Sequence, residues 1–193
     1  STLLALVHPD CLTTAYVNPD YLQVLQQASR VLPDGIGVNV GCRIKGVALR
    51  ANLNGTDLFP RLCETLAETG QSIFLLGAQP GRAEATAQAM RERFPNLRVA
   101  GTHDGFFDSS EDAAVISSIN ASGADILLVA MGAPRQELWL ARYQDDLQVP
   151  VRMGVGGLFD YYSGSIPRAP LWLREIGLEW VWRLLQEPGR MWS

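Results

Sequence analysis

Lysine is almost missing from this sequence. Of the 16 basic residues in 193, Lys45 is the one lysine, and the formal charge is −4. An acid-leaning chain is not a nucleic-acid binder organised around a basic surface. Arginine in place of lysine suits planar phosphate recognition, although biased codon usage produces the same composition. Cysteine is scarce as well. Cys11, Cys42 and Cys63 are odd in number and scattered, which excludes a disulfide framework and points to a reducing compartment. Histidine occurs only as His8 and His103, and with no third ligand at a recurring spacing no metal centre is expected. No apolar run reaches the roughly 18 residues of a membrane span, and no signal peptide is visible. The sequence also has no phosphate-binding P-loop and no Asp-x-Asp pair, and its best approach to G-x-G-x-x-G, from Gly154, meets Phe159 where the last glycine would stand. These absences leave a dinucleotide-dependent dehydrogenase unsupported and disfavour a metal-dependent transferase.

Against those gaps stands one organising stretch, Asp125 to Glu137 (DILLVAMGAPRQE). Six apolar residues, Ile126 to Met131, run into Gly132 and Pro134, and a helical pattern follows with Leu138, Leu140 and Ala141 on its apolar side. A run of this length, bounded by a turn and a helix, reads as a strand buried on both faces at the centre of a sheet. Ligands of open parallel sheets settle at the carboxyl ends of the strands, so the following loop is a candidate site. Gly132 allows close backbone approach, Pro134 suits the first helical turn, and Gln136 and Glu137 set an amide and a carboxylate at the helix start. The plain alternative is that Glu137 complements the helix dipole and Gln136 is solvated.

The flanking segments build the same architecture. Leu3 to Val7 reads as a strand ending at His8-Pro9-Asp10, and Asn18-Pro19-Asp20 starts a helix. Val31 and Leu32 feed the turn Pro33-Asp34-Gly35, whose carboxylate stands at a strand end and beside a helix start; in a plain turn Asp34 only bonds its own backbone. Asn54 to Asp57 caps a helix from Leu58 to Thr69. Strands then fall over Ser72–Leu76, Leu97–Ala100, Ile126–Met131 and Val149–Val155, separated by helices over Ala83–Phe94, Asp112–Ala121 and Arg135–Leu147. Without hairpin signals this alternation predicts right-handed crossovers in an α/β, Rossmann-like three-layer fold with a mostly parallel sheet and a helical C-terminal segment. Gly77, Gly105, Gly132 and Gly156 each fall at or just after a strand end, so four loops converge on one crevice where helix-start N–H groups favour phosphate. The final residues differ in kind, because Trp172, Trp180, Trp182 and Trp192 are four of the five tryptophans. They form either a terminal helix docked on the core or a surface for a membrane or a partner.

Several motifs occur together: Pro33-Asp34-Gly35-Ile36-Gly37, Gly55-x-Asp57-Leu58, Gly105-x-Phe107, Gly132-x-Pro134-x-Gln136-Glu137 and Gly154-Val155-Gly156-Gly157-x-Phe159-Asp160. Arg168-Ala169-Pro170 and the run Gly177-Leu178-Glu179-Trp180, Arg183-Leu184, Glu187-Pro188 complete the set. With them the chain resembles, over nearly its whole length, the WecG/TagA/CpsF family of bacterial glycosyltransferases. The resemblance implies an inverting, metal-independent transfer from a UDP-sugar, with no other cofactor, to a sugar on undecaprenyl diphosphate. The moved sugar would be a hexose, an N-acetylhexosamine or a uronic derivative, and the reaction would serve cell-surface polysaccharide synthesis at the inner face of the cytoplasmic membrane. It leaves no role for nucleic acid and leaves a homo-oligomer open. The implied single domain spans 1–193, with an acceptor side over 1–70, a nucleotide-binding part over 71–165 and C-terminal helices over 166–193.

The same resemblance assigns residues. Asp34 would be the base, and inversion in one step needs a base that deprotonates the attacking hydroxyl. Gln136 would position substrate hydroxyls, Phe106 would stack on uracil and Asp160 would hold the ribose. Arg168 is the first candidate for the leaving diphosphate, followed by Arg190 and Arg183. Gly77, Gly105, Gly132, Pro134, Glu137 and Gly156 complete the substrate-binding rim. Where the family has Thr-x-Asn at the end of the first strand this chain has Leu6 and His8, and Asn52 replaces an arginine, so the acceptor side is chemically altered. A catalytically degenerate relative that holds a nucleotide-sugar is therefore the second reading, and a Rossmann-type oxidoreductase the third. The family's tail continues past Glu-Pro with arginines that close over the site, so a chain ending at Ser193 is expected to bind nucleotide but turn over poorly.

Overall fold

The computed structural model describes residues 2–49, 53–170, 173 and 179–186. The strands are β1 (Thr2–Val7), β2 (Arg30–Pro33), β3 (Ser72–Gly77), β4 (Arg98–His103), β5 (Ile126–Ala130) and β6 (Val151–Gly154). The helices are α1 (Pro9–Val17), α2 (Pro19–Gln27), α3 (Ile36–Ile44), α4 (Gly55–Thr69), α5 (Arg82–Arg93), α6 (Asp112–Ser122), α7 (Arg135–Arg142), α8 (Leu158–Tyr162) and α9 (Glu179–Gln186). Among the described residues the six strands form one sheet in the order β2-β1-β6-β5-β3-β4, with every pairing parallel.

The apolar runs explain the layering. In β3 and β5, Ile73, Leu75, Leu128 and Ala130 point to one face and pack with Phe59 and Leu66 of α4 and Ala83, Ala87 and Met90 of α5. Phe74, Leu76, Leu127 and Val129 point to the other face, against Val115, Ile116 and Ile119 of α6 and Trp139 and Leu140 of α7. Alternation of side chains with period two makes a continuous apolar run serve both faces at once. Beneath β1, Ala5 and Val7 pack with Cys11 and Ala15 of α1 and Tyr21 and Leu25 of α2. The expected central position of the Ile126 strand is realised, since β5 lies between β6 and β3.

Some boundaries differ from the sequence reading. Strand β4 continues to His103 instead of stopping at Ala100, because Gly101 leaves room for the Phe74 ring; a Cβ there would lie 2.5 Å from Phe74 Cε2. Helix α7 ends at Arg142, not Leu147. There the Tyr143 hydroxyl and the Trp139 indole N–H donate to Asp112 at 2.6 and 2.7 Å, tying the helix end to α6. Helix α3 begins where a helix start was expected beside Asp34 and runs on through Gly37 and Gly41, residues of low helix propensity. Tertiary packing explains Gly37, where a Cβ would stand 2.5 Å from Pro9 Cγ. Helix α9 matches the expected terminal helix; its Trp182 indole donates to the Pro167 carbonyl at 3.2 Å, while Leu185 is exposed. Trp172 and Trp192 lie outside the described residues.

Topology then places the crevice. From β3 the chain crosses outward through α5 to β4, whereas from β5 it crosses the other way through α7 to β6. Neighbouring strands whose connections leave in opposite directions open a gap at their carboxyl ends, which is where ligands of such sheets bind.

Candidate active site

A cavity of about 260 Å³ occupies that gap. The loop after β3 supplies Ala78, Gln79 and Arg82, the loop after β4 supplies Gly105 and Phe106, and the end of β5 supplies Ala130 and Met131, with Arg135 and Asp160 closing the wall. Backbones meet closely here. A Cβ on Gly77, which has φ +127°, would lie 2.5 Å from the Ala130 carbonyl oxygen, and one on Gly105 would lie 3.1 Å from Gly77 Cα. Ala78 itself is held at φ +61°, a conformation that non-glycine residues rarely adopt and that collects at functional loops. Its N–H donates to Ala130 and its carbonyl accepts from Gly105, so this one residue ties three loops together.

Arginine and aromatic groups give the cavity its chemistry. Phe106 is 69% exposed, which leaves a ring face free to stack. Arg82, at the start of α5, forms an ion pair with Asp160, whose carboxylate is buried at the start of α8. Arg135 opens α7, donates to the Phe107 carbonyl at 3.2 Å and lies over the Phe107 ring. Two guanidiniums at two helix starts favour an anion between them. A larger, open depression of about 730 Å³ lies between α6 and the turn after α7, but its buried carboxylate, Asp112, is already occupied by Trp139 and Tyr143.

On the other side of β6, the Pro33-Asp34-Gly35 turn ends β2. Asp34 is more than a plain turn residue. Its N–H donates to Val7 at 2.9 Å, and its carboxylate accepts from the N–H of Gly55 at 3.2 Å, at the first turn of α4. That places a half-buried carboxylate against a helix N-terminus, where the dipole favours negative charge. His8 follows β1 and caps α1 near it. Hydrogen bonding to Cys11 raises its pKa, the charges of Cys11, Asp10 and Asp34 add to this, and burial opposes it. Leu6, at the family's threonine position, is a core residue whose tip touches Gly55, so it presents nothing to a substrate. Asn52 lies outside the described residues.

Between these two parts sits a buried clamp. Gln136 and Glu137 are 2% and 0% exposed, so the solvated alternative for this loop is wrong. The Gln136 side-chain N–H donates to Glu137 Oε1 at 2.6 Å, and Gln136 Oε1 accepts from the Gly156 N–H at 3.0 Å. Gly154 makes room for the pair, since a Cβ there would lie 2.6 Å from both side chains. Burial pushes the Glu137 carboxyl up to about 7 against the opposing hydrogen bond from Gln136. Its Oε2 is buried without a hydrogen bond. The hydroxyl of Tyr21 on α2 is also buried, and its pKa is raised by burial first, then by Cys11 and by the charge of Glu137. Gln136 therefore secures the β6–α8 loop and does not project as an open pocket side chain.

The sequence-derived residues are thus divided. Gly77, Gly105, Phe106 and Asp160 gather at the cavity. Gly132, at φ +78°, and Pro134, which follows a cis peptide bond, make the turn into α7, while Gly156 is held by the clamp. Arg168 stands elsewhere: it donates to Thr56 and Asp57 at 2.9 Å, at the start of α4 on the Asp34 side, and is not among the cavity-lining residues. Arg82, Arg135 and Ala78 were missed. An arginine just past the glycines that follow β3 and β5 was the available signal.

A Rossmann-like sheet with an arginine- and aromatic-lined crevice at its switch point defines an α/β ligand-binding protein. The family is settled by comparison: the model of the glycosyl transferase WecG/TagA/CpsF family matches residues 1–193, and the chain belongs to that family. It is a glycosyltransferase. It is 32% identical over 188 residues to the N-acetylglucosaminyldiphosphoundecaprenol N-acetyl-beta-D-mannosaminyltransferase of Bacillus subtilis, covering 97% of this chain and 73% of that protein. To the enzyme of the same name from Bacillus spizizenii it is 34% identical over 183 residues, covering 95% of this chain and 70% of the relative. Among the described residues, no helix is long and apolar enough to cross a membrane.

Proposed function

We propose that this protein transfers a hexose or N-acetylhexosamine from a UDP-sugar to a sugar carried on undecaprenyl diphosphate, with inversion and without a metal ion. The acceptor class is the one in the relatives' names, and N-acetylmannosamine is the first donor sugar to test. The observation that carries the reading is the pairing of a carboxylate at one end of the rim with a guanidinium- and ring-lined cavity further along it. Asp34 at the end of β2 and the cavity beside β5 are three strand spacings apart, roughly 14 Å, which an extended nucleotide-sugar can bridge.

In this reading uracil stacks on Phe106, Asp160 and Arg82 line the nucleoside, and the diphosphate lies toward the starts of α5 and α7. The acceptor hydroxyl attacks the anomeric carbon while Asp34 takes its proton; the bond to the diphosphate breaks on the opposite face, and UDP leaves with the electron pair. Arg82, Arg135 and the helix-start N–H groups meet the growing phosphate charge. Peripheral contact with the inner face of the cytoplasmic membrane follows from a lipid-linked acceptor.

The degenerate, binding-only reading is favoured by Leu6, which substitutes alkyl packing for a hydroxyl at the acceptor end. One experiment separates the readings. Thermal stability with UDP and a panel of UDP-sugars in EDTA should rise, and transfer to a lipid-linked acceptor should follow with the best sugar. A rise without any transfer leaves the binding protein; no rise with any uridine nucleotide overturns both.

A further inference from the structure

Helix α3 begins two residues after Asp34 and carries Ile36, Val40 and Ile44 at four-residue spacing, hence on one face. All three are exposed, at 38%, 49% and 78%, and Val47 just beyond the helix is 53% exposed. Val38 is the one residue of this helix that is buried. Isolated apolar residues on a surface need no explanation, but a row of β-branched ones along one helix face does.

The charges of the same stretch say what covers it. From Gly35 to Thr56 there is no acidic residue, the longest such run in a chain whose net charge is −4. The run contains Arg43, the single lysine Lys45, and Arg50. Arg43 and Lys45 are exposed on either side of Ile44, whereas Arg50 lies outside the described residues. An apolar face bordered by cations is how an interfacial helix meets a bilayer: the apolar side chains enter the acyl boundary and the cations meet anionic headgroups.

We propose that the exposed face of α3 is a docking surface for an anionic phospholipid bilayer, which brings a lipid-linked acceptor to Asp34 at the head of the same helix. The acceptor half of this statement rests on the function proposed above; the docking half does not. At 1.5 Å per residue α3 is about 13 Å long, so Asp34 stays within reach of a diphosphate-linked sugar projecting from the membrane into which Ile44 inserts. An acidic protein surface and a second copy of this chain are the competing occupants.

The test is flotation of the full chain with vesicles of equal parts phosphatidylethanolamine and phosphatidylglycerol. Ile44→Asp should weaken binding roughly tenfold, the loss of one buried aliphatic side chain. Lys45→Glu should weaken it by at least about fivefold, an effect that high salt reduces. Ser118→Asp, an exposed position on α6, should leave it unchanged. Transfer is read in parallel on a vesicle-embedded acceptor and on a water-soluble short-chain analogue; Ile44→Asp should lose the first and keep the second. Equal flotation of the Ile44 and Ser118 variants overturns the proposal, as does no flotation of the unaltered chain. So does dimerisation without vesicles that Ile44→Asp abolishes. Flotation that behaves as expected with no transfer to either acceptor would sink the transferase reading and leave the docking surface standing.

Discussion

Strand β3 is buried at all six positions from Ser72 to Gly77, whereas β2, at the edge of the sheet, leaves Arg30 and Val31 exposed and Leu32 and Pro33 half-buried. The cavity beside β3 is accordingly held by close packing of backbones, with Gly77 against Ala130 and Gly105 against Gly77. Asp34 beside β2 is held by hydrogen bonds: its own N–H to Val7, Leu53 N–H to Pro33, and its carboxylate to Gly55. A site for an invariant ligand half can be rigid, while a site that must accept different partners sits on a lightly packed rim. The contrast extends to two carboxylates. Asp34 is half-buried at a helix N-terminus, and Glu137 is dry, unpaired at Oε2 and raised to about 7.

The contrast can be broken most directly at Asp34. Replacing it with asparagine should lower transfer by about 10³-fold or more, near 4 kcal/mol, while the thermal shift caused by UDP persists. Loss of both would mean the two ends of the rim are one unit. Next in size is Arg82→Met, which strips the buried Asp160 of its guanidinium; urea unfolding should show a loss of about 3 kcal/mol, together with weaker UDP binding. A stable variant would show that the cavity wall does not depend on the pair.

Glu137→Gln sharpens the comparison through pH. Burial pushes the folded carboxyl up to about 7 while the unfolded one keeps its ordinary value of 4.5, so the folded state holds the extra proton between those values. Stability should therefore fall as pH rises from 4.5 to 7, and the full cost, about 3 kcal/mol as an upper figure, is present above that window. The variant should unfold like the parent near pH 4 and be the more stable of the two near pH 8. Equal stability at both would show that solvent reaches Oε2. The smallest effect belongs to Phe106→Ala. UDP binding should weaken about tenfold, the loss of one base–aromatic stack, with the melting temperature unchanged because the ring is exposed.

Much of the frame could be read before any coordinates. The apolar runs of β3 and β5, the glycines at four strand ends and the capped start of α4 are local signals, and each marks the element where it was expected. The start of helix α3 beside Asp34 was legible but its length was not, because its glycines oppose helix formation and its place depends on Pro9, well upstream. The extension of β4 depends likewise on a ring from β3. At the site, Asp34 and Phe106 fall where the motifs put them. Gln136 and Glu137 were found as residues but not as a clamp, since nothing in the string PRQE says which polar groups will be dry. Arg168, expected at the leaving diphosphate, faces the start of α4, and the cavity is lined instead by Arg82 and Arg135, which the motifs did not single out.

The order of residues alone settled the parallel sheet, its central strand and the rim on which polar groups collect, because periodicity and turn chemistry act over a few neighbours. Pairing and protonation were left to the tertiary structure. Arg82 meets Asp160 across 78 positions of chain, and Gly156 meets Gln136 across 20. The charge of Glu137 is decided by how completely its surroundings exclude water, a property that belongs to the packed layers and to no single segment.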